Sequence, residues 1–200
     1  MRKKRVGIFG GTFDPVHAGH VALAHSFLDS GLIDSLLVTL TPDAPHKQGQ
    51  DKTSFDDRLA MLSLAFGEID NAEVSTLERK LPSPSYTLQT LEYLQNSYPD
   101  TVFYLCMGED SLVQFHKWYK YKEILKRTDL IVAERPGYDR DSVSDEILES
   151  AIIVDHEPVK ASSTDVRQGL QEGLYGTDKE TEVPESVQKY IDEKGLYRGG

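Results

Sequence analysis

Short apolar runs alternate with amphipathic patterns along most of the chain. The runs are five to seven residues long and are mostly apolar throughout, which is typical of strands buried on both faces of a sheet. We predict six such strands, at residues 5–9, 35–40, 72–76, 101–107, 129–134 and 151–155.

Helical spacing of apolar residues fills the intervals between several of these strands. Ser54 and Asp57 have the spacing of a capping box, and Pro184 and Gly195 stand where helices favour proline at the start and glycine past the end. The predicted helices cover residues 19–30, 54–66, 85–95 and 183–195. We expect the acidic stretch 139–150 to be a partly helical surface insertion.

Strands that alternate with helices predict βαβ units and therefore a parallel sheet with helices on both faces. The predicted fold is a Rossmann-like, doubly wound α/β sheet with a helical C-terminal segment. A length of 200 residues fits one domain, and neither an internal repeat nor a linker interrupts it. We therefore predict a single domain over residues 1–200, whose helical C-terminal part begins at about residue 160.

The composition of the chain limits which molecules it can bind and where in the cell it is expected to work. The net charge of −11 disfavours duplex nucleic acid, whereas a small anion could still bind where local positive charge collects. Cys106 is the only cysteine, which excludes an internal disulfide and suits a reducing cytosol. The apolar run after the basic residues 2–5 ends at Phe9, too short for a membrane span. We expect a soluble, cytoplasmic protein without a membrane partner.

Candidate chemistry is concentrated in residues 6–21, VGIFGGTFDPVHAGHV. Gly10 and Gly11 end the first predicted strand, where glycines allow a ligand to approach the backbone. His17 and His20 flank the first turn of the next helix, whose N-terminus favours an anion. We expect the two imidazoles and the helix end to form a cationic cradle for phosphate. A plain glycine turn is the alternative for the strand end, and a His-x-x-His zinc site lacks further ligands at suitable spacing.

A second candidate segment is Ser162–Arg167, SSTDVR. Ser162 can cap a helix, while Thr164 and the free N–H groups of the first turn face a phosphate and Arg167 adds a permanent charge. The alternative for this segment alone is an ordinary N-cap followed by a surface arginine.

These two segments resemble the signatures of the nucleotidyltransferase superfamily that carries a (T/H)-x-G-H element, here His17-Ala18-Gly19-His20. Four further blocks are similar to the bacterial nicotinate mononucleotide adenylyltransferases, so that the resemblance covers nearly the whole chain. The four blocks read PSYTLQTLEYL, MGEDSLVQFHKWYKYKEIL, DLIVAERPGY and VPESVQKYIDEKGLYR.

The resemblance implies adenylyl transfer from ATP to nicotinate mononucleotide, which releases pyrophosphate in a step of NAD biosynthesis. We expect Mg²⁺ to bridge the ATP phosphates mainly through water, because few protein groups usually bind this ion, and we therefore name no metal ligand. The implied catalytic residues are His17, His20, Lys47 and Arg167. The implied ATP-binding residues are Gly10, Gly11, Thr12, Phe13, His17, His20, Gly108, Asp110, Ser162, Ser163, Thr164 and Arg167.

The resemblance also implies a nicotinate pocket in which an aromatic ring stacks on the pyridine and hydrogen-bond donors bind the carboxylate. Its implied residues are Thr87, Trp118, Tyr119 and Arg135. Trp118 could instead belong to the core, Asp110 could be a helix N-cap, and Arg135 could be a solvated arginine at a strand end.

The chain departs from the family pattern after the second strand. Leu40-Thr41 replaces the usual Pro-Asn, and Ala44-Pro45 replaces the usual Pro-Pro, which puts the loop shape there in doubt. The rival functions are a phosphopantetheine adenylyltransferase, a nicotinamide mononucleotide adenylyltransferase and a catalytically silent nucleotide sensor. The sequence leaves the oligomeric state open, and a homo-oligomer is compatible with it.

Overall fold

Six parallel strands form one sheet in the order β3-β2-β1-β4-β5-β6 in a computed structural model of the chain. The structure describes residues 2–42, 53–135, 137, 140–172 and 182–198. Every predicted strand is present. The strands are β1 Lys4–Gly11, β2 Ser35–Leu40, β3 Ala72–Ser75, β4 Thr101–Gly108, β5 Leu130–Ala133 and β6 Ala151–Val154.

Helices cover both faces of the sheet, because successive strand residues point to opposite faces and most of them are apolar. Phe9 and Cys106 face one core, while Ile8, Leu105 and Met107 face the other. The first core packs under α1 Ala18–Asp29, α2 Phe55–Phe66, α7 Ser163–Gln171 and α8 Glu185–Lys194. The second core packs under α3 Thr87–Ser97, α4 Glu109–Gln114, α5 Tyr121–Leu125 and α6 Asp145–Glu149. The predicted doubly wound fold is confirmed.

The order of the strands changes direction between β1 and β4. The chain builds β2 and β3 on one side of β1 and then crosses to β4 on the other side, so the loops that leave β1 and β4 diverge. In open parallel sheets, ligands bind in the crevice that this divergence creates. Gly10-Gly11 and Gly108 lie at the two strand ends that border it.

The C-terminal helices pack back onto the same core as α1 and α2. Val166, Val187 and Ile191 are fully buried in it. Polar contacts add to this packing, since the Ala18 amide donates to the Glu182 carbonyl oxygen at 2.7 Å. The single-domain organisation stays a prediction.

Two parts of the second face differ from the sequence expectation. The short helices α4 and α5 were not predicted, because neither is long enough to show helical periodicity. The expected surface insertion at 139–150 also needs correction within its described part, residues 140–150. Val143 and Ile147 are buried there against the second core, so this acidic segment contributes to the core as well as to the surface.

In the described ranges, no helix combines the length and apolarity required to span a membrane.

We expect Gly7→Ala to lower the free energy of unfolding by about 1–3 kcal/mol, because the core of a close-packed sheet does not accept an extra methyl group. A Cβ at residue 7 would lie 2.7 Å from Cys106 Sγ, 2.8 Å from Ile33 Cδ1 and 3.0 Å from Leu36 Cδ1. Urea unfolding measures the loss. Adding Cys106→Ala should recover part of it, and strictly additive effects of the two substitutions would contradict this packing argument.

Candidate active site

The loop that leaves β1 brings the two motif histidines together. His17 is the N-cap residue of α1, and its backbone N–H donates to His20 Nδ1 at 3.2 Å. The two rings lie 3.7 Å apart between centroids, and the His20 ring also meets the edge of Phe13 at 4.9 Å. Because Nδ1 of His20 accepts a hydrogen bond, the neutral ring carries its proton on Nε2, which is then its donor.

His17, which the sequence predicts to be part of a cationic phosphate cradle, is buried. The residue is 8% exposed, and its Nδ1 has no hydrogen-bond partner among the described residues. Burial lowers the pKa of His17 to about 4, and the nearby carboxylate of Asp165 opposes the shift only in part. This imidazole is therefore neutral at pH 7, whereas the sequence led us to expect a cationic ring.

The second motif packs directly against the first. Arg167 Nη1 donates to the Asp14 carbonyl oxygen at 2.7 Å, and Ser163 Oγ donates to the Pro15 carbonyl oxygen at 2.9 Å. These bonds bring the start of α7 to the turn that precedes α1. Segments about 150 residues apart in the chain thus form one cluster at the edge of the sheet.

The two serine hydroxyl groups of the second motif are used within the protein. Ser162 caps α7, accepting from the Asp165 amide at 3.1 Å and donating to the Asp165 carboxylate at 2.7 Å. Ser163 is engaged with Pro15. The groups of this motif best suited to meet a phosphate are therefore the amides of the first turn, Thr164 and the Arg167 guanidinium.

The loops after β4 and β5 are joined by a buried carboxylate that sequence reasoning missed. Glu109 is 2% exposed and accepts the Arg135 amide at 2.6 Å and Arg140 Nε at 2.5 Å. Gly108 is the N-cap of α4, so Asp110 lies in the first turn and is not the cap. The Asp110 carboxylate folds back so closely that a Cβ at residue 108 would lie 2.7 Å from its Oδ1. Arg135 itself is exposed at the end of β5.

A second cluster contains three of the four residues expected for the nicotinate pocket, Thr87, Trp118 and Tyr119, whereas Arg135 lies beyond β5 beside Glu109. Thr87 is the first residue of α3, and the Tyr86 ring before it stacks on Tyr119, with centroids 4.3 Å apart and planes at 28°. Trp118 packs on Phe115 at 5.2 Å and joins the second core as a partly buried residue. Tyr119, at 46% exposure, is the more accessible ring of the pair at 118–119.

Two further residues near the first cluster were also missed. Tyr197 donates to Asp14 Oδ1 at 2.6 Å, and burial raises the pKa of Tyr197 above its usual range. Arg58 is 2% exposed and reaches the Thr12 carbonyl oxygen at 2.7 Å. The burial of Arg58 could have been predicted from its spacing, because Arg58 lies on the same face of α2 as the apolar residues Met61 and Leu62.

Some predicted positions are not part of this description. Lys47 and the departures Ala44 and Pro45 lie outside the described residues. Among the residues the structure describes, no group of three or more His, Cys, Asp or Glu side chains is arranged to hold a metal ion.

Comparisons with known proteins agree with this fold and these motifs. The cytidylyltransferase-like family model matches residues 8–169. A probable nicotinate-nucleotide adenylyltransferase of Flavobacterium johnsoniae is 33% identical, over 97% of this chain and 99% of the relative. The nicotinate-nucleotide adenylyltransferase of Bacillus subtilis is 32% identical, over 97% of this chain and 98% of its own. The chain belongs to the nicotinate-nucleotide adenylyltransferase family, within the cytidylyltransferase-like proteins.

Solved structures support the fold of this family member. The Plasmodium falciparum nicotinic acid mononucleotide adenylyltransferase complexed with APC has a TM-score of 0.77 at 20% identity, with 97% of each chain covered. The same enzyme complexed with NaAD has a TM-score of 0.75 over the same coverage. At this identity the likeness concerns the fold, and the roles of individual residues in this adenylyltransferase stay predictions.

We expect the buried His17 to make stability depend on pH. Its folded pKa of about 4 lies below the ordinary value of 6.5, so unfolding takes up a proton between these pH values and stability falls as the pH is lowered through them. The wild-type free energy of unfolding should drop by about 1 kcal/mol more than that of His17→Gln between pH 6.5 and 5.5. Urea unfolding at both pH values measures the difference. Equal pH dependence in the two proteins would show that His17 is not buried as a neutral ring.

Proposed function

We propose that the protein transfers the adenylyl group of ATP to nicotinate mononucleotide and releases pyrophosphate, giving nicotinate adenine dinucleotide. The observation that carries this proposal is the direct hydrogen bonding between the two motifs, through Arg167 to Asp14 and Ser163 to Pro15. It concentrates two helix N-termini, two imidazoles and a guanidinium at one edge of the sheet, as transfer of a phosphoryl-linked group requires.

The reaction needs positioning more than it needs acid–base chemistry. An oxygen of the mononucleotide 5′-phosphate attacks the α-phosphorus of ATP, the new P–O bond forms, and the bond to the bridging oxygen of the β-phosphate breaks. The electron pair leaves with pyrophosphate. A phosphate monoester is already ionised at neutral pH, so neither a general base nor a covalent intermediate is required. His20 Nε2, Arg167 and the amides that begin α1 and α7 would stabilise the charge that develops on the phosphates.

Nicotinate recognition is proposed at the second cluster. The start of α3 at Thr87 offers backbone N–H groups to a carboxylate, and the Tyr119 ring offers a stacking surface for the pyridine. A neutral amide would gain less from these donors than a carboxylate would, which favours the acid over the amide. Arg135, exposed at the end of β5, would add positive charge near the dinucleotide.

Mg²⁺ is proposed to arrive as part of the ATP substrate, bound to phosphate oxygens and water. We further propose that the protein works in the cytoplasm and without nucleic acid, consistent with a single buried cysteine and a net charge of −11.

The direct test is pyrophosphate release from ATP and Mg²⁺ with nicotinate mononucleotide or nicotinamide mononucleotide as the second substrate. We expect a higher kcat/KM for the acid, because only its carboxylate matches the donors at the start of α3. Binding of ATP without pyrophosphate release would instead identify a nucleotide sensor. A higher kcat/KM for the amide would identify the sibling activity.

We expect His20→Ala to lower kcat by at least about 10², the usual loss when one preorganised donor to a developing charge is removed. His25→Ala is the matched control, because His25 lies on the same helix but is exposed. Steady-state kinetics of both variants under saturating substrates decides the point. Turnover of His20→Ala close to that of the control would exclude the donor role.

A further inference from the structure

A buried arginine joins the loops that leave the adjacent strands β1 and β2. Arg58 belongs to the second turn of α2 and is 2% exposed. Its neighbours on the buried face of that helix are apolar, among them Met61 and Leu62. A guanidinium in such a place must be matched by strong hydrogen bonds, since an unmatched buried charge is costly.

Four of the hydrogen bonds made by Arg58 end on backbone carbonyl oxygens. Nη1 donates to Thr12 at 2.7 Å and to Thr41 at 3.0 Å, Nη2 to Pro42 at 3.4 Å, and Nε to Thr53 at 3.1 Å. Thr12 follows β1, and Thr41 and Pro42 follow β2. One planar group thus ties together the exits of two adjacent strands.

The same junction is fixed from two other directions. The Thr41 amide donates to the Gly11 carbonyl oxygen at 2.9 Å. The second is Glu78, which is 7% exposed and accepts from Thr90 Oγ1 of α3 at 3.1 Å. Burial raises the pKa of Glu78, and the neighbouring side chain of Thr41 opposes that shift. Thr41 therefore lies between the Arg58 guanidinium and a buried carboxyl group.

These hydrogen bonds explain how the chain accommodates a departure from the family pattern. Thr41 stands where the resemblance leads us to expect asparagine. Its carbonyl oxygen accepts from Arg58 and its amide donates to the Gly11 carbonyl oxygen, so the substituted position is held by hydrogen bonds on both sides. The loop exit is ordered by this network rather than by the usual Pro-Asn pair.

We propose that Arg58 is a positioning residue for adenylyl transfer, which sets the distance between the Gly11-Thr12 turn and the Thr41-Pro42 exit and thereby the seat of the ATP phosphates. The inference rests on the proposed function. In this proposal Arg58 itself does not contact a substrate. It fixes the position of the backbone segments that contact ATP. Only a forked, planar cation can reach the Thr12, Thr41 and Pro42 oxygens at once, because lysine carries a single compact ammonium group.

The test compares Arg58→Lys and Arg58→Gln with Arg5→Gln. Arg5 is a matched control because it hydrogen-bonds Asp34 at the opposite, N-terminal end of β1. For each variant we would measure the melting temperature, the folded fraction, and kcat and KM for both substrates per folded molecule. We expect both Arg58 variants to lose about 10² in kcat/KM for ATP, the scale of a misplacement of roughly 1 Å. Arg5→Gln should lower only the melting temperature.

If the Arg58 variants fail to fold, the substitution Thr41→Val provides a second test of the inference. It removes the hydroxyl next to the Glu78 carboxyl group and keeps the carbonyl oxygen bound to Arg58, so we expect a smaller loss in kcat/KM for ATP. Unchanged kinetic constants per folded molecule, in the folded Arg58 variants or, failing those, in Thr41→Val, would overturn the inference. A wild-type protein without pyrophosphate release would instead overturn the proposed function, so the two failures are distinguishable.

Discussion

The carbonyl oxygens of Asp14 and Pro15 are the contacts on which the candidate active site depends. Arg167 binds the first and Ser163 binds the second, so the start of α7 is held against the turn that begins α1. A hydrogen bond from a guanidinium is charge-assisted and stronger than one between neutral groups. Because the acceptors are backbone atoms, they also fix the path of the loop. The two motifs form one site only while these bonds hold.

Much of the fold could be predicted because the sheet is parallel and buried. Strands with both faces covered leave continuous apolar runs, and β2 was predicted at its observed limits for this reason. Short helices such as α4 and α5 leave no such signal. The burial of Val143 and Ile147 within an acidic segment could not be predicted either, since it depends on packing against a distant core.

The candidate site was predictable to a different extent. Motif spacing placed His17 and His20 at a helix start, because that inference needs only local structure. The neutral state of His17 depends on its deep burial, which local sequence does not reveal. Arg58 acts through backbone carbonyl oxygens, and these carry no side-chain pattern. Tyr197 was missed because its partner Asp14 lies 183 positions away.

An acidic protein can bind a polyanion if the carboxylates near the site accept hydrogen bonds from other groups of the protein. Asp14 accepts from Tyr197, and Asp165 accepts from the hydroxyl of Ser162, so both carboxylates are engaged within the protein. The positive groups at the same edge include Arg167, which binds the Asp14 carbonyl oxygen, and the buried Arg58. At physiological salt, charges on exposed surfaces are screened beyond about 8 Å, whereas buried charges are screened much less. Local geometry therefore outweighs the net charge of −11 at this edge of the sheet.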